Sequence, residues 1–186
     1  MFLEDWDPVS IHTLACAGGE VSEQLARQAG MSPFVDHVLK TNSEMTESDF
    51  YRLQRKFYNA FKHQTKKDGS DREDAELLEA FDDHINDAQL FLAWSDLVAV
   101  TGQSPVEVQV FQVWFYAKYP EKMTDGVDAR HFAGVFPNIA QLSRDKQKLE
   151  LKRKIEEARG NSLLMADPRT DQRPLLISRV GISTIN

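Results

Sequence analysis

Apolar residues return every three or four positions over most of this chain, with polar residues between them, a spacing that marks amphipathic helices rather than strands. The first helix is predicted to open at Asp7-Pro8, where an aspartate can accept from free amides and a proline suits the first turn, and to close near Gly30. Its apolar stripe is Ile11, Leu14, Ala15, Val21 and Leu25. Gly18 and Gly19 interrupt the helix at a cost of roughly 1 kcal/mol each, so a closely approaching helix is expected beside them. A short helical or irregular stretch follows at 33–40. Thr46-Glu47-Ser48-Asp49 reads as a capping box, with Asp for the usual Glu, and opens a second long helix over 46–63 whose core arc is Phe50, Leu53, Phe57, Ala60 and Phe61.

A third long helix is predicted over 75–101, broken near its start, with Phe81, Ile85, Ala88, Leu92, Ser95 and Ala99 as its main stripe. Leu90, Phe91, Trp94, Leu97 and Val98 make its second half apolar nearly all round, which places it in the middle of a bundle. Ser104-Pro105-Val106-Glu107 reads as an N-cap, a first-turn proline and a capping-box glutamate for a helix over 106–119, although the alternation of Val106, Val108 and Val110 also admits a strand. A short helix at 128–135 and a last one from Pro137 to about Gly160 complete the pattern. The expected fold is an all-α helical bundle of four to five main helices with an irregular C-terminal tail. Three parts are expected: a bundle domain over 1–136, a basic helix over 137–160, and a flexible or partner-docked tail over 161–186.

Charge divides the same way. The 186 residues carry a net −7, but 137–186 hold a balance of +4 and 1–136 one of −11. The acidic total excludes a uniformly basic nucleic-acid binder and leaves local cationic surfaces open, one of them along the last helix at Arg144, Lys148, Lys152 and Arg159. No apolar run has the length of a membrane span, and Met1-Phe2-Leu3-Glu4-Asp5 lacks the basic and apolar regions of a signal peptide, so the expected location is the cytoplasm. The single cysteine, Cys16, rules out an intrachain disulfide.

The second helix carries the most informative chemistry. Opposite its apolar arc lie Arg55, Asn59 and His63, flanked by Arg52 and Lys56, with Lys62 beside them. Cations that hold an anionic oxygen, next to an imidazole that exchanges protons near neutral pH, suit a phosphodiester; a solvated helix face reads equally well in this composition. The run Tyr58-Asn59-Ala60-Phe61-Lys62-His63, preceded by the Ile11-His12-Thr13-Leu14-Ala15-Cys16-Ala17 helix and followed by an aspartate-rich helix, resembles uncharacterised bacterial helical proteins with an Asn-x-Phe-Lys-His signature. More distantly, it resembles the HEPN superfamily over residues 10–120. That resemblance implies a helical bundle, a homodimer, and in many members a metal-independent ribonuclease of toxin-antitoxin or phage-defence type. Its motif is an arginine, often followed by a polar residue, with a histidine five to seven positions after the arginine. Asn59 and His63 fit the last two positions, but Tyr58 stands where the arginine falls, and Arg55 is the nearest substitute.

Two functions follow from this reading. The first is a binding or regulatory module whose Arg/Asn/His face takes RNA or an antitoxin-like protein partner; the second is an endoribonuclease using His63 as acid and base with Asn59 and Arg55. No cofactor and no metal is expected. Asp83 and Asp87, one helical turn apart with His84 between them, are read as binding residues that pair with the cationic face, a divalent cation being the other use of such a trio. His12, Cys16 and Glu20 recur every four residues, an arrangement that admits a thiol nucleophile and more simply a packed cysteine. Trp94, Phe111, Trp114, Phe115, Tyr116 and Tyr119 are expected in the core.

Overall fold

A computed structural model describes residues 1–63, 65, 69–71, 74–123, 129–173 and 175. The protein is all-α, and its chain falls into two compact units, Met1–Gly102 and Gln103–Asn186. The division lies inside the span expected to form one domain over 1–136. It comes where α6 ends: Gly102 adopts φ 66°, a left-handed conformation that glycine reaches without a steric penalty, and its amide closes the last turn onto the Val98 carbonyl.

In the first unit, α1 (Pro8–Gln28) and α6 (Ile85–Thr101) form the central pair, joined by α2 (Phe34–Thr41), α3 (Glu47–Gln54), α4 (Lys56–Lys62) and α5 (Ala75–Glu79). Asp7 caps α1 by accepting from the Val9 and Ser10 amides, and the Thr46/Asp49 capping box opens α3, both as the sequence predicts. Two long helices are broken. The segment 46–63 gives way at Arg55, whose φ of −100° and ψ of 5° interrupt it. The buried Gln89 amide enters the ladder there, donating to the Gln54 carbonyl at 2.8 Å, a side-chain insertion of the kind that kinks helices. The segment 75–101 is interrupted over 80–84.

The inward face of α6 is the main departure from the predicted stripe. Ala88 and Ala99 are exposed, whereas Asn86, Asp87, Gln89 and Asp96 are buried together with Phe91. Asn86, Gln89 and Asp96 reach backbone groups of other elements. Asn86 Nδ2 donates to Pro8 O at 3.0 Å, Gln89 holds the end of α3, and Asp96 Oδ1 accepts from the Phe34 amide at the start of α2, at 2.6 Å. Buried helix-end groups need such partners, and α6 supplies them from its own polar residues. Burial raises the Asp96 carboxyl above its ordinary range, opposed by that Phe34 hydrogen bond.

On α1 the buried residues are Ile11, His12, Ala15, Cys16, Ser22 and Ala26, so the helix turns a narrow small-residue face inward and leaves Leu14, Val21 and Leu25 exposed. The two glycines separate accordingly. A Cβ on Gly19 would sit 3.6 Å from Ala93 Cβ, the expected close approach, whereas one on Gly18 would meet nothing within 4 Å. Gly18→Ala is therefore expected to stabilise the first unit by about 0.5–1 kcal/mol through helix propensity alone, measured by urea denaturation. A loss of stability would contradict the open space at that position.

The second unit contains α7 (Val106–Lys118), α8 (Ala129–Val135), α9 (Arg144–Arg159) and α10 (Ser162–Ala166). A two-residue parallel pair joins β1 (Ser104–Pro105) to β2 (Thr170–Asp171), Ser104 opposite Thr170. Ser104 is thus in β1 rather than capping α7, and Glu107 turns from the expected capping box to Arg159 Nη2 and the Leu175 amide, which it accepts at 3.2 Å. The predicted basic side of α9 is also redirected. Lys148 is buried beside Leu151 and Ile155, Arg159 pairs with Glu107, the Arg144 guanidinium lies over the Trp114 ring at 5.9 Å, and Leu149 faces solvent. Part of the expected 161–186 tail is ordered structure: Asn161 caps α10 and Thr170–Asp171 forms β2. Residue 174 and residues 176–186 lie outside the described residues. Trp114, Phe111 and Phe115 are core, as the sequence predicts; Trp94, Tyr116 and Tyr119 are half-buried. Among the described residues no helix is long and apolar enough to cross a membrane.

Candidate functional site

The polar face of 46–63 is built on two short helices instead of one. Because of the break at Arg55, Leu53 is 55% exposed while Phe57 and Tyr58 are buried, so the core arc shifts phase between α3 and α4. Arg55 is half-buried at the junction. Its guanidinium stacks on the Tyr51 ring at 4.5 Å, and its Nε lies 3.3 Å from Glu20 Oε1, an ion pair without hydrogen-bond alignment. Tyr51 in turn donates its hydroxyl to Glu23, which also accepts from Arg27 Nε at 3.1 Å. Burial, together with the Glu23 hydrogen bond, pushes the Tyr51 phenol up to about 12.

The remaining members of the face lie nearer solvent. Arg52 is exposed and pairs with Asp49 on its own helix at 2.8 Å. Lys56 and Lys62 are exposed, their ammonium groups over the Phe57 and Tyr58 rings at 4.6 and 5.1 Å, and Lys62 Nζ donates to the Tyr58 hydroxyl at 3.3 Å. Asn59 is half-buried. His63 ends α4 with φ −128° and ψ 125°, its amide on the Asn59 carbonyl at 3.0 Å, so its exposed side chain leaves from extended backbone, not from the helical face the wheel predicts. The geometry thus links His63 to Asn59 through a backbone hydrogen bond and commits Arg55 elsewhere.

Asp83 and Asp87 do not share a helix face. Asp83 precedes α6 and accepts from Asn86 Nδ2 at 3.1 Å, whereas Asp87 lies within α6, fully buried. Arg52 and Arg55, their expected partners, pair with Asp49 and Glu20 instead. Among the described residues no three His, Cys, Asp or Glu side chains are grouped to hold a metal ion.

The His12, Cys16 and Glu20 series resolves into packing. Burial, then the Glu20 charge, pushes the Cys16 thiol up to about 12 against the opposing pull of Arg55, so the group stays a neutral thiol at physiological pH. Sequence reasoning missed Asn86, the residue that ties His12 to Pro8 and Asp83. Its only signal is a run of polar positions, 86, 87, 89 and 96, inside an otherwise apolar helix.

No known protein family, curated protein or solved structure matches this chain.

Proposed function

We propose that this chain is a HEPN-like helical binding or regulatory module, working as a homodimer, in which the exposed Arg52, Lys56, Lys62 and His63, with the half-buried Asn59, take RNA. The observation that carries the reading is the commitment of Arg55 to Glu20 and Tyr51. With that guanidinium held away, the face offers cations and an imidazole for phosphate contact, and Arg55 is not free to stabilise charge beside His63 during cleavage.

Fluorescence anisotropy with a labelled single-stranded RNA tests it. The expected result is binding that weakens as salt rises between about 50 and 200 mM, and a salt slope flattened by about 1.4 when Lys56→Glu and Lys62→Glu remove two phosphate contacts. Unchanged binding by the double variant would remove this face from the reading, and absence of binding would turn it toward a protein partner. One observation favours the nuclease alternative, the solvent exposure of His63 next to Asn59. The same RNA is expected to stay intact with the native protein; cleavage that His63→Ala abolishes would establish the endoribonuclease instead.

A further inference from the structure

His12 is fully buried in the first unit and takes no part in the face on α3 and α4. Three phenylalanines meet its ring edge-on, Phe57 and Phe61 of α4 at 6.1 and 5.9 Å and Phe81 at 5.4 Å between centroids. Its nitrogens touch two groups. Nδ1 is 3.0 Å from Asn86 Oδ1, and Nε2 is 3.5 Å from Cys16 Sγ.

Hydrogen-bond accounting fixes the proton. Asn86 directs its two amide hydrogens at Pro8 O and Asp83 Oδ1, which leaves only its oxygen for the ring, so Nδ1 carries the hydrogen and donates. Nε2 is then a bare acceptor, and the neutral Cys16 thiol donates to it. Every partner is satisfied while the ring is neutral. A second proton, on Nε2, would face sulfur alone, a weak acceptor, with aromatic carbon on the remaining sides.

We propose that His12 is a proton-sensitive latch: neutral, it holds α4 against α1 and α6, and proton uptake at Nε2 releases the end of α4 that carries Asn59 and His63. The charged groups of the packed elements do not offset the new charge. On α1, Glu20 pairs with Arg55 at the head of α4; Lys56 and Lys62 on α4 are cations; around the start of α6, Asp82 and His84 are exposed and Asp83 accepts from Asn86, while the groups that meet the ring are Asn86, Cys16 and the three phenylalanines. Burial accordingly lowers the imidazole from its ordinary 6.5, outweighing the Asn86 hydrogen bond. The sign follows from linkage. Above about pH 6.5 both folded and released forms are neutral and the latch is closed; below it the released form binds the proton more readily, so opening increases until the folded value is reached.

Hydrogen exchange on the full chain, corrected for intrinsic rates, tests this independently of what the face binds. From about pH 7.5 to 5.5, opening of amides 57–62 is expected to rise up to about tenfold per pH unit below 6.5, while amides 89–98 of α6 hold steady. His12→Phe is expected to abolish the rise, and His63→Gln and His84→Gln to retain it. Flat opening, an equal rise in α6, or a rise that survives His12→Phe or disappears with either control would overturn the proposal. If His12→Phe does not fold, the ring resonances of His12 in the native protein decide: titration below 6.5 supports the latch, and titration at or above 6.5 overturns it.

Discussion

Asn86→Leu is expected to destabilise the first unit by about 2–5 kcal/mol, read as a lower urea midpoint for the transition that unfolds α1 and α6. Asn86 is fully buried and satisfies three groups at once: the Pro8 carbonyl, one Asp83 oxygen and His12 Nδ1. Leucine matches its volume roughly and offers none of these bonds. The Pro8 carbonyl loses its Asn86 donor and the His12 Nδ1–H its acceptor, and a buried group that loses its partner costs about 1–3 kcal/mol. Asp83 is half-buried and reaches water, so its share is small. The added apolar contact offsets part of the loss. A change below about 1 kcal/mol would mean that the network around His12 is not what holds α1 to the start of α6.

Trp114→Ala is expected to cost the second unit about 3–5 kcal/mol, the range for removing a large buried aromatic. Trp114 has no exposed surface. It stacks on Phe111 at 5.6 Å between centroids, and the Lys118 ammonium and the Arg144 guanidinium lie over it at 4.9 and 5.9 Å. Alanine leaves a cavity at a site with no exposed surface, and it strips the buried Lys118 and the half-buried Arg144 of their ring face. Trp114→Phe should lose less, because it keeps the stack. A thermal or urea midpoint unmoved by Trp114→Ala would contradict the placement of α7 at the centre of this unit.

The two predictions also mark where sequence reasoning succeeded and where it stopped. Trp114 was legible: α7 has too few polar positions to solvate its aromatics, so burial was the only economical outcome. Asn86 was not, because an apolar-stripe argument assigns polar residues outward by default, and α6 does the reverse at Asn86, Asp87, Gln89 and Asp96. The face on α3 and α4 was half legible. Its residues are exposed or half-exposed as the wheel implies, but the wheel assumes one continuous helix, and the Gln89 amide on the Gln54 carbonyl marks the place where that continuity fails. Arg55 pairs with a glutamate 35 positions earlier in the chain, and helical spacing carries no information about such a partner.

What the sequence by itself determined is local. Asp7 with Pro8 and Thr46 with Asp49 fix where α1 and α3 begin, because a cap needs only residues within one turn of the helix end. The all-α class follows from periodicity, which each segment carries alone. Only the tertiary structure decided which face of α6 turns inward, where 46–63 breaks and why His12 is neutral. Each of these depends on a buried donor or acceptor meeting a backbone or side-chain group far along the chain, and desolvation makes that pairing obligatory.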